Sequence, residues 1–358
     1  MTEGRIAVVG AGLAGLNAAR LLWQAGANVR LYEARPRLGG RILTVGADGA
    51  PGVGFDLGPS WFWPEMQPEI AALVAELGLA CQKQSEAGQM LFERHPQEPP
   101  LRVPHPGSVA SWRIAGGTGA LAQALAALIP RDRIRLGAPV RRLTRAEDAV
   151  VLTLPEGEVR ADHVILALPP RLIAQGLTLD PAPSPGVLDL WRRTPTWMAP
   201  HAKFLAVYPR RFWREAGLSG GAQSLVGPMA EIHDATSSAG EAALFGFVGL
   251  SAAGRQQIGE AAVIGACTAQ LVRLFGSAAA EPRSVRLKDW AADVLTATPG
   301  DLTDPGHPAP QVFALPAPWS DRLTLAGSET APRDPGYLNG AVIAANAAAS
   351  RAAALCSV

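Results

Sequence analysis

Three glycines near the start of the chain have the spacing of a nucleotide-binding turn. Gly10, Gly12 and Gly15 follow an apolar run at 5–9, and Glu33 closes the next apolar run 18 residues after Gly15. The first glycine of such a motif makes a tight turn, the second lets backbone N–H groups approach a pyrophosphate, and the third allows close helix–strand packing. The carboxylate of Glu33 would accept hydrogen bonds from ribose hydroxyls. The pattern predicts a bound dinucleotide, and a glycine-rich turn without a ligand is the alternative.

A second glycine pair, Gly39-Gly40, follows Glu33 and is succeeded by Arg41. A nicotinamide dehydrogenase does not need this pair. A flavin protein of the glutathione-reductase type does, because its extended FAD approaches the chain twice. Arg41 could place a cation at the pyrophosphate or the flavin edge, or it could be a solvated loop side chain. The two glycine segments together predict FAD.

Further stretches, together with the N-terminal glycines, resemble the flavin-containing amine oxidase family, which includes monoamine, polyamine and L-amino-acid oxidases. They are a D-L-G turn expected beside the flavin, a Gly-Gly followed by a helix, an apolar strand before Pro-Pro, and a two-part C-terminal flavin signature. The stretches are Phe55–Trp61, Ile114–Gly117, His163–Pro170, Leu325–Thr330 and Gly336–Val342. The resemblance implies a short member of the bacterial type. It further implies FAD-dependent oxidation of a small-molecule amine to an imine and aldehyde, with O2 reduced to H2O2.

The C-terminal signature can also be interpreted physically. A strand at 322–326 precedes Glu329, whose carboxylate could bind the ribityl hydroxyls; a surface carboxylate is the alternative. Gly340 is expected to begin a helix whose positive end would face the cofactor and favour negative charge on the reduced flavin.

Lys203 is one of only three lysines among 32 basic residues. It lies on an alternating segment predicted as a strand, and Phe212 and Trp213 follow nine and ten residues later. The resemblance implies that Lys203 holds a water against flavin N5 and assists reoxidation or imine hydrolysis. A lysine that protects an edge strand is the alternative. Lys288, just before Asp289-Trp290, is the competing lysine.

Tyr337 corresponds to one wall of the family's aromatic cage, which guides the amine nitrogen to the flavin. Nine and ten residues after Trp290, monoamine oxidases carry a flavin-linked cysteine and the second tyrosine. This chain has Pro299 and Gly300 there. We therefore expect non-covalent FAD and a second wall supplied from elsewhere. The candidates are Trp61, Trp63, Trp197 and Trp319, each of which could instead be a core residue.

Two other departures bear on the substrate. The stretch before Gly116-Gly117 is short, so most of the helical lid of larger family members is expected to be missing. The residues after the D-L-G-P turn, Ser60–Trp63, include no arginine to bind a substrate carboxylate. This favours an amine over an amino acid.

The expected site has two catalytic residues, Lys203 and Tyr337, and no metal ligands, because the six histidines have no metal-binding spacing. The residues expected to bind the cofactor are Gly10, Ala11, Gly12, Leu13, Ala14, Gly15, Glu33, Ala34, Arg35, Gly40, Arg41, Pro59, Ser60, Trp61, Val140, Trp290, Gly327, Glu329, Gly336, Leu338 and Ala341.

The fold that must position these residues is expected to be α/β. The chain has 358 residues, enough for two domains. We expect a Rossmann-like FAD-binding domain of the glutathione-reductase type formed by 1–65, 112–183 and 292–358. A discontinuous substrate domain, with a mixed β-sheet and helices, would comprise 66–111 and 184–291. Predicted elements include strands at 5–9, 28–32, 203–208 and 243–250 and helices at 16–25, 65–79, 261–275 and 340–355.

Composition restricts the partners. A net charge of +1 gives no reason to expect nucleic acid or an anionic membrane surface. No apolar run reaches the length of a membrane-spanning helix, so no membrane anchor is expected. Three widely spaced cysteines and the early start of the glycine motif favour a cytoplasmic protein without a signal peptide. A homodimer is one possible assembly.

The sequence is compatible with two other functions. The same fold could support a dehydrogenase or desaturase that acts on a non-amine substrate. It could also belong to a flavin-binding protein without turnover, since the second cage wall is absent from its usual place.

Overall fold

The computed structural model describes residues 5–105, 109–303 and 306–356. The parts of the predicted domains at 1–4, 106–108, 304–305 and 357–358 lie outside the described residues. The helices are α1 (Leu13–Gln24), α2 (Pro68–Glu76), α3 (Gly119–Ala127), α4 (Pro170–Gly176), α5 (Pro185–Arg193), α6 (Phe212–Glu215), α7 (Ala252–Ile258), α8 (Glu260–Phe275), α9 (Pro299–Thr303) and α10 (Leu338–Cys356). The strands are β1 (Arg5–Val9), β2 (Asn28–Tyr32), β3 (Thr44–Val45), β4 (Phe55–Asp56), β5 (Cys81–Lys83), β6 (Gln89–Glu93), β7 (Leu101–Val103), β8 (Trp112–Ile114), β9 (Ile134–Arg135), β10 (Arg142–Arg145), β11 (Val150–Leu154), β12 (Gly157–Ala161), β13 (His163–Leu166), β14 (Thr178–Asp180), β15 (Ala202–Tyr208), β16 (Leu218–Ser224), β17 (Met229–Asp234), β18 (Ala242–Val248), β19 (Ser284–Asp289) and β20 (Leu323–Leu325).

A five-stranded parallel sheet forms the nucleotide-binding half of the molecule. Its strand order is β20-β13-β1-β2-β9, and each described pair is parallel. β1 and β13 are apolar along most of their length because layers cover both of their faces. Helices α1, α3 and α10 pack on one face, and a four-stranded sheet of order β12-β11-β10-β14 belongs to the core on the other. This arrangement confirms the predicted α/β fold class.

The first helix begins three residues earlier than predicted. Gly12 has extended backbone angles (φ −73°, ψ −177°) and acts as the N-cap, so α1 starts at Leu13. The prediction placed the start at Leu16 because the apolar periodicity becomes clear only there. The last part of the glycine motif is therefore the first turn of the helix itself.

A seven-stranded mixed sheet forms the other half, with strand order β19-β15-β18-β17-β16-β6-β7. The sequence predicted only β15 and β18 within it. β16 has the sequence LSGGAQS, whose adjacent glycines show no alternation of apolar and polar residues. Helix α8 packs on this sheet through Val263, Cys267 and Leu271.

Within the described ranges, no single helix is both long and apolar enough to cross a bilayer. One pair, α7 with α8, passes that test jointly but bends by 103° between its two helices.

Candidate active site

A large cavity lies at the carboxyl ends of the parallel strands and extends to the mixed sheet. Its volume is about 610 Å³. Cavities at this edge of an α/β sheet are the usual place for a nucleotide cofactor. Most of the predicted site residues line it: Gly10, Gly12, Leu13, Ala14, Glu33, Arg35, Gly40, Arg41, Pro59, Ser60, Trp61, Lys203, Trp290, Gly327, Gly336, Tyr337, Leu338 and Ala341.

The glycine turn leaves a helix terminus open toward the cavity. Gly10 adopts a φ of +102°, which favours glycine, and its N–H donates to the Tyr32 carbonyl at 2.7 Å. A Cβ at Gly15 would lie 1.8 Å from the Gly10 oxygen, so the strand and helix touch through glycine. In the described part of the chain no side chain caps the N-terminus of α1, and its first turn contains no acidic residue. The first N–H groups of α1 are thus available to an anion such as a pyrophosphate.

Glu33 lies on the cavity wall beside this turn. Its Oε2 accepts the Ala11 N–H at 2.7 Å, and its Oε1 accepts the Arg35 N–H at 2.8 Å. Each carboxylate oxygen has further acceptor capacity for a ribose hydroxyl. The uncapped helix, the oriented carboxylate and a second glycine approach at Gly40 together fit an extended FAD.

Arg41 and Glu329 bind each other. Arg41 Nη1 lies 2.6 Å from Glu329 Oε1, Nη2 lies 3.1 Å from Oε2, and Nη2 also donates to Ser328 Oγ at 2.9 Å. Glu329 is fully buried and is not among the residues that line the cavity, so its contact with the ribityl hydroxyls stays a prediction. A buried carboxylate needs a cationic partner, and the guanidinium supplies it through two bonds. The alternatives of a surface carboxylate at Glu329 and a solvated loop side chain at Arg41 are both wrong.

Four other expected residues also lie outside the cavity lining. Ala11 is fully buried, and Gly15 packs so closely on the glycine turn that a Cβ there would overlap the Gly10 carbonyl. Ala34 is not among the lining residues, although its neighbours Glu33 and Arg35 are. Val140 packs in the hydrophobic core beneath the parallel sheet. These positions shape the site by backbone or packing.

Several lining residues were missed by sequence reasoning. They include Gly58, Met198, His201, Glu231, Phe247 and Thr296. Gly58 lies in the predicted D-L-G-P turn, which could have identified it, and a Cβ there would lie 2.0 Å from the Arg41 carbonyl. The others come from strand ends and loops of the mixed sheet, where no motif marks them. His201, two residues before Lys203, also lies on the wall, and burial lowers its pKa.

Lys203 is a buried lysine on the cavity wall. Its Nζ donates to the Gly58 carbonyl at 3.0 Å and to Ser60 Oγ at 2.7 Å, and it lies 3.9 Å from the centre of the Phe245 ring. Burial lowers the pKa of Lys203 to about 7; Asp56 opposes this shift and Arg113 adds to it. β15 lies between β18 and β19, so the edge-strand explanation of this lysine is wrong.

Lys288 is directly opposite Lys203 in the β15–β19 ladder but belongs to a different set of contacts. Its Nζ lies 3.1 Å from Asp293 Oδ2 and 4.5 Å from the centre of the Trp290 ring. Lys288 does not line the cavity. It therefore provides a matched comparison for Lys203.

Aromatic side chains gather around Tyr337. The ring centre of Trp197 lies 6.1 Å from that of Tyr337, with planes inclined by 46°, and His307 lies 5.0 Å from Tyr337. Trp61, Trp63 and Trp197 all line the cavity. Trp319 does not, because it is buried elsewhere and its Nε1 donates to the Pro181 carbonyl. Of the four candidates for a second wall, Trp197 has a described ring contact with Tyr337.

Sequence comparison identifies the family. A profile described as flavin containing amine oxidoreductase matches residues 106–353, and one described as NAD(P)-binding Rossmann-like domain matches residues 8–77. The chain belongs to the flavin-containing amine oxidoreductase family. The predicted family, fold class and flavin cofactor are thereby confirmed, and this amine oxidoreductase is a flavin-dependent enzyme.

Individual relatives resemble this amine oxidoreductase over most or nearly all of its length. The putative flavin-containing monoamine oxidase AofH of Mycobacterium tuberculosis is 27% identical, with 98% of this chain and 96% of AofH covered. An L-amino acid dehydrogenase of Synechocystis is 32% identical over 65% of this chain and 49% of its own length. The AofH alignment spans 456 positions against 358 residues here, so at least 98 positions are gaps in this chain. AofH therefore has at least that many residues with no counterpart in this chain.

Two solved structures share its fold. Putrescine oxidase bound to putrescine superposes with a TM-score of 0.81 at 21% identity, covering 98% of this chain and 99% of that one. Cyclohexylamine oxidase from Brevibacterium oxydans has a TM-score of 0.81 at 21% identity, covering 99% of each chain.

Proposed function

We propose that the protein is an FAD-dependent oxidase of a small apolar or aromatic amine. One observation carries the proposal: a single cavity joins the nucleotide-binding turn of α1 to an aromatic wall containing Trp197 and Tyr337, with Lys203 on the same lining. The overall reaction converts the amine and O2 into an imine and H2O2. Water then hydrolyses the imine to an aldehyde and ammonia or a smaller amine.

FAD, when bound, takes two electrons from the C–N unit and passes them to O2. The protein binds and orients the two partners. The N-terminus of α1 and Glu33 would hold the pyrophosphate and adenosine ribose, non-covalently because no cysteine lines the cavity. The N-terminus of α10, which begins at Leu338 on the cavity lining, would face the cofactor as well.

The aromatic wall would orient the amine. Trp197 and Tyr337 have π faces that favour a nitrogen bearing positive charge and apolar flat groups next to it. The amine must lose its proton before oxidation, so the reductive step should speed up with rising pH.

Charges on the lining favour an amine over an amino acid. Arg35 and Arg41 are the lining arginines, and each is paired with a carboxylate, Asp293 and Glu329 respectively. Neither guanidinium is free to bind a substrate carboxylate. Glu231, a carboxylate on the same lining, suits an approaching cation.

We also propose the two-domain division stated above, supported by the separate parallel and mixed sheets. A cytoplasmic location is supported by the three free cysteines. A homodimer remains a proposal about assembly.

The test is turnover on an amine panel. FAD-loaded protein is supplied with aliphatic, aromatic and diamine substrates and with L-amino acids, and peroxide and aldehyde are measured together. Protein stripped of FAD is the control. Equal amounts of peroxide and aldehyde from at least one amine class, with none from amino acids, support the proposal. Reduction of a dye without peroxide formation would indicate a dehydrogenase, and no reduction at all would indicate a binding protein.

A further inference from the structure

A cluster of three buried charged side chains lies beside the cavity wall. It comprises Asp56 on β4, Lys203 on β15 and Arg113 on β8, and each is at most 7% exposed. Only Lys203 lines the cavity. Asp56 and Arg113 therefore lie behind the cavity wall, where they can affect the charge of Lys203 without contacting a ligand.

The two oxygens of Asp56 have different surroundings. Oδ1 accepts hydrogen bonds from Thr44 Oγ1 at 2.6 Å and from the N–H and Oγ1 of Thr118, both at 2.8 Å. Oδ2 is buried and has no hydrogen-bond partner among the residues that the structure describes. One oxygen thus ties β4 to Thr44 and Thr118, while the other leaves its share of the carboxylate charge without a direct bond. Burial raises the pKa of Asp56, and Lys203 acts against that rise.

Lys203 is tied to the turn that directly follows Asp56. Its two hydrogen bonds go to Gly58 and Ser60, two and four residues after Asp56. Neither acceptor is charged, and no described ion pair joins Lys203 to a carboxylate. Asp56 is the nearby anion that favours the protonated amine without a direct bond.

Arg113 opposes it. Its described hydrogen bonds go to the carbonyls of Ala235 and Thr236, and it keeps its positive charge at all ordinary pH values.

Other groups face Lys203 from the packed strands. Phe245 and Phe247 come from β18, and Lys288 on β19 is balanced by Asp293. From β17 come Glu231, which lines the cavity, and His233, whose ring lies 5.3 Å from that of Phe245; His201 lies just before β15. After burial, Asp56 raises and Arg113 lowers the pKa of Lys203.

We propose that Asp56 is a positioning residue whose carboxylate determines whether Lys203 is protonated in the cavity, with Arg113 as the opposing charge. The consequence for turnover rests on the proposed function, whereas the charge of Lys203 does not. Asp56 acts entirely through Lys203 and touches neither cofactor nor substrate.

The small number of lysines allows a direct test. Protein labelled with ¹³C at lysine Cε should show three side-chain signals, from Lys83, Lys203 and Lys288. Lys203→Met and Lys288→Met assign them. The signal of Lys203 should titrate near pH 7 in the FAD-loaded wild type. In Asp56→Asn, which keeps an acceptor for Thr44 and Thr118, it should titrate lower by about one unit or more.

Arg113→Gln should move the Lys203 titration the other way, to higher pH. The Lys288 signal is the internal control and should stay in place in both variants. An unmoved Lys203 titration in Asp56→Asn, or no upward movement in Arg113→Gln, overturns the proposal. The titration of Lys203 in Arg113→Gln tests the proposal even if Asp56→Asn does not fold.

A kinetic arm separates this inference from the proposed function. The pH profile of flavin reoxidation should shift in the same direction as the Lys203 titration in each variant. Opposite NMR shifts in a protein that oxidises no amine would support the role of Asp56 and refute the amine oxidase. A reoxidation profile that stays fixed while the titration moves would overturn the role assigned to Asp56 in turnover.

Discussion

Replacing Lys203 by methionine should separate the two halves of the catalytic cycle. Methionine keeps the apolar stem in a site that is only 3% exposed, and it removes the amine that donates to Gly58 and Ser60. A hydrogen bond from a charged donor is worth about 1.5–3 kcal/mol. With a pKa of about 7, roughly half of the Lys203 amines are charged at neutral pH. We therefore expect reoxidation by O2 to fall by about tenfold or more, which is about 1.4 kcal/mol of barrier.

The pH dependence should differ as well. In the wild type, reoxidation should slow as the pH rises through about 7, because Lys203 loses its proton there. The methionine variant has no such group, so its reoxidation rate should be nearly independent of pH in that range. Reduction by the amine should be much less affected by the substitution and should still rise with pH.

Stopped-flow absorbance of the flavin measures both steps, with anaerobic mixing for reduction and aerobic mixing for reoxidation. Lys288→Met is the matched control, since Lys288 is opposite Lys203 but outside the cavity lining. Equal reoxidation rates in all three proteins would remove Lys203 from the mechanism. A larger loss in the Lys288 variant would show that the other lysine has this role.

Three other predictions follow from the site and the core. Acid precipitation should release all of the yellow colour into the supernatant, because no cysteine lines the cavity; flavin retained on the denatured chain would contradict non-covalent binding. Glu33→Ala should weaken FAD binding about ten- to a hundredfold by equilibrium titration. It should also lower the stability of the FAD-free protein, since the N–H groups of Ala11 and Arg35 lose their acceptor; unchanged affinity would refute its role. Burial lowers the pKa of His163 to about 4, so between pH 6.5 and 4 the unfolded chain binds a proton that the folded chain does not. Over that range the wild type should lose about 3 kcal/mol more unfolding free energy than His163→Gln in urea titrations, and parallel losses would contradict the assignment.

The nucleotide-binding half could be predicted from local sequence. The strand at 5–9, the glycine spacing and Glu33 lie within 29 consecutive residues, and backbone geometry dictates what each glycine does. The helix start was misplaced only because its first turn is also the glycine motif. Lys203 was identified by its rarity and its spacing to Phe212-Trp213, but its burial on a central strand was not.

Contacts between distant segments could not be predicted in the same way. Arg41 and Glu329 are 288 positions apart, and nothing in either segment reveals that the two side chains neutralise each other. The glycine-rich strand β16 has no hydrophobic alternation. It is a strand because of its neighbours in the sheet, which the local sequence does not reveal. Trp197 reaches Tyr337 from a loop before β15, so only the folded chain shows which tryptophan lies beside it.

The anaerobic reduction of bound flavin by an amine tests the central claim most directly. FAD-loaded protein is titrated without oxygen while the flavin absorbance is followed, and O2 is then admitted. One equivalent of a suitable amine should bleach one FAD completely, and the colour should return with one equivalent of H2O2. Flavin that dithionite reduces but that no amine in the panel bleaches would contradict the assignment as an amine oxidase.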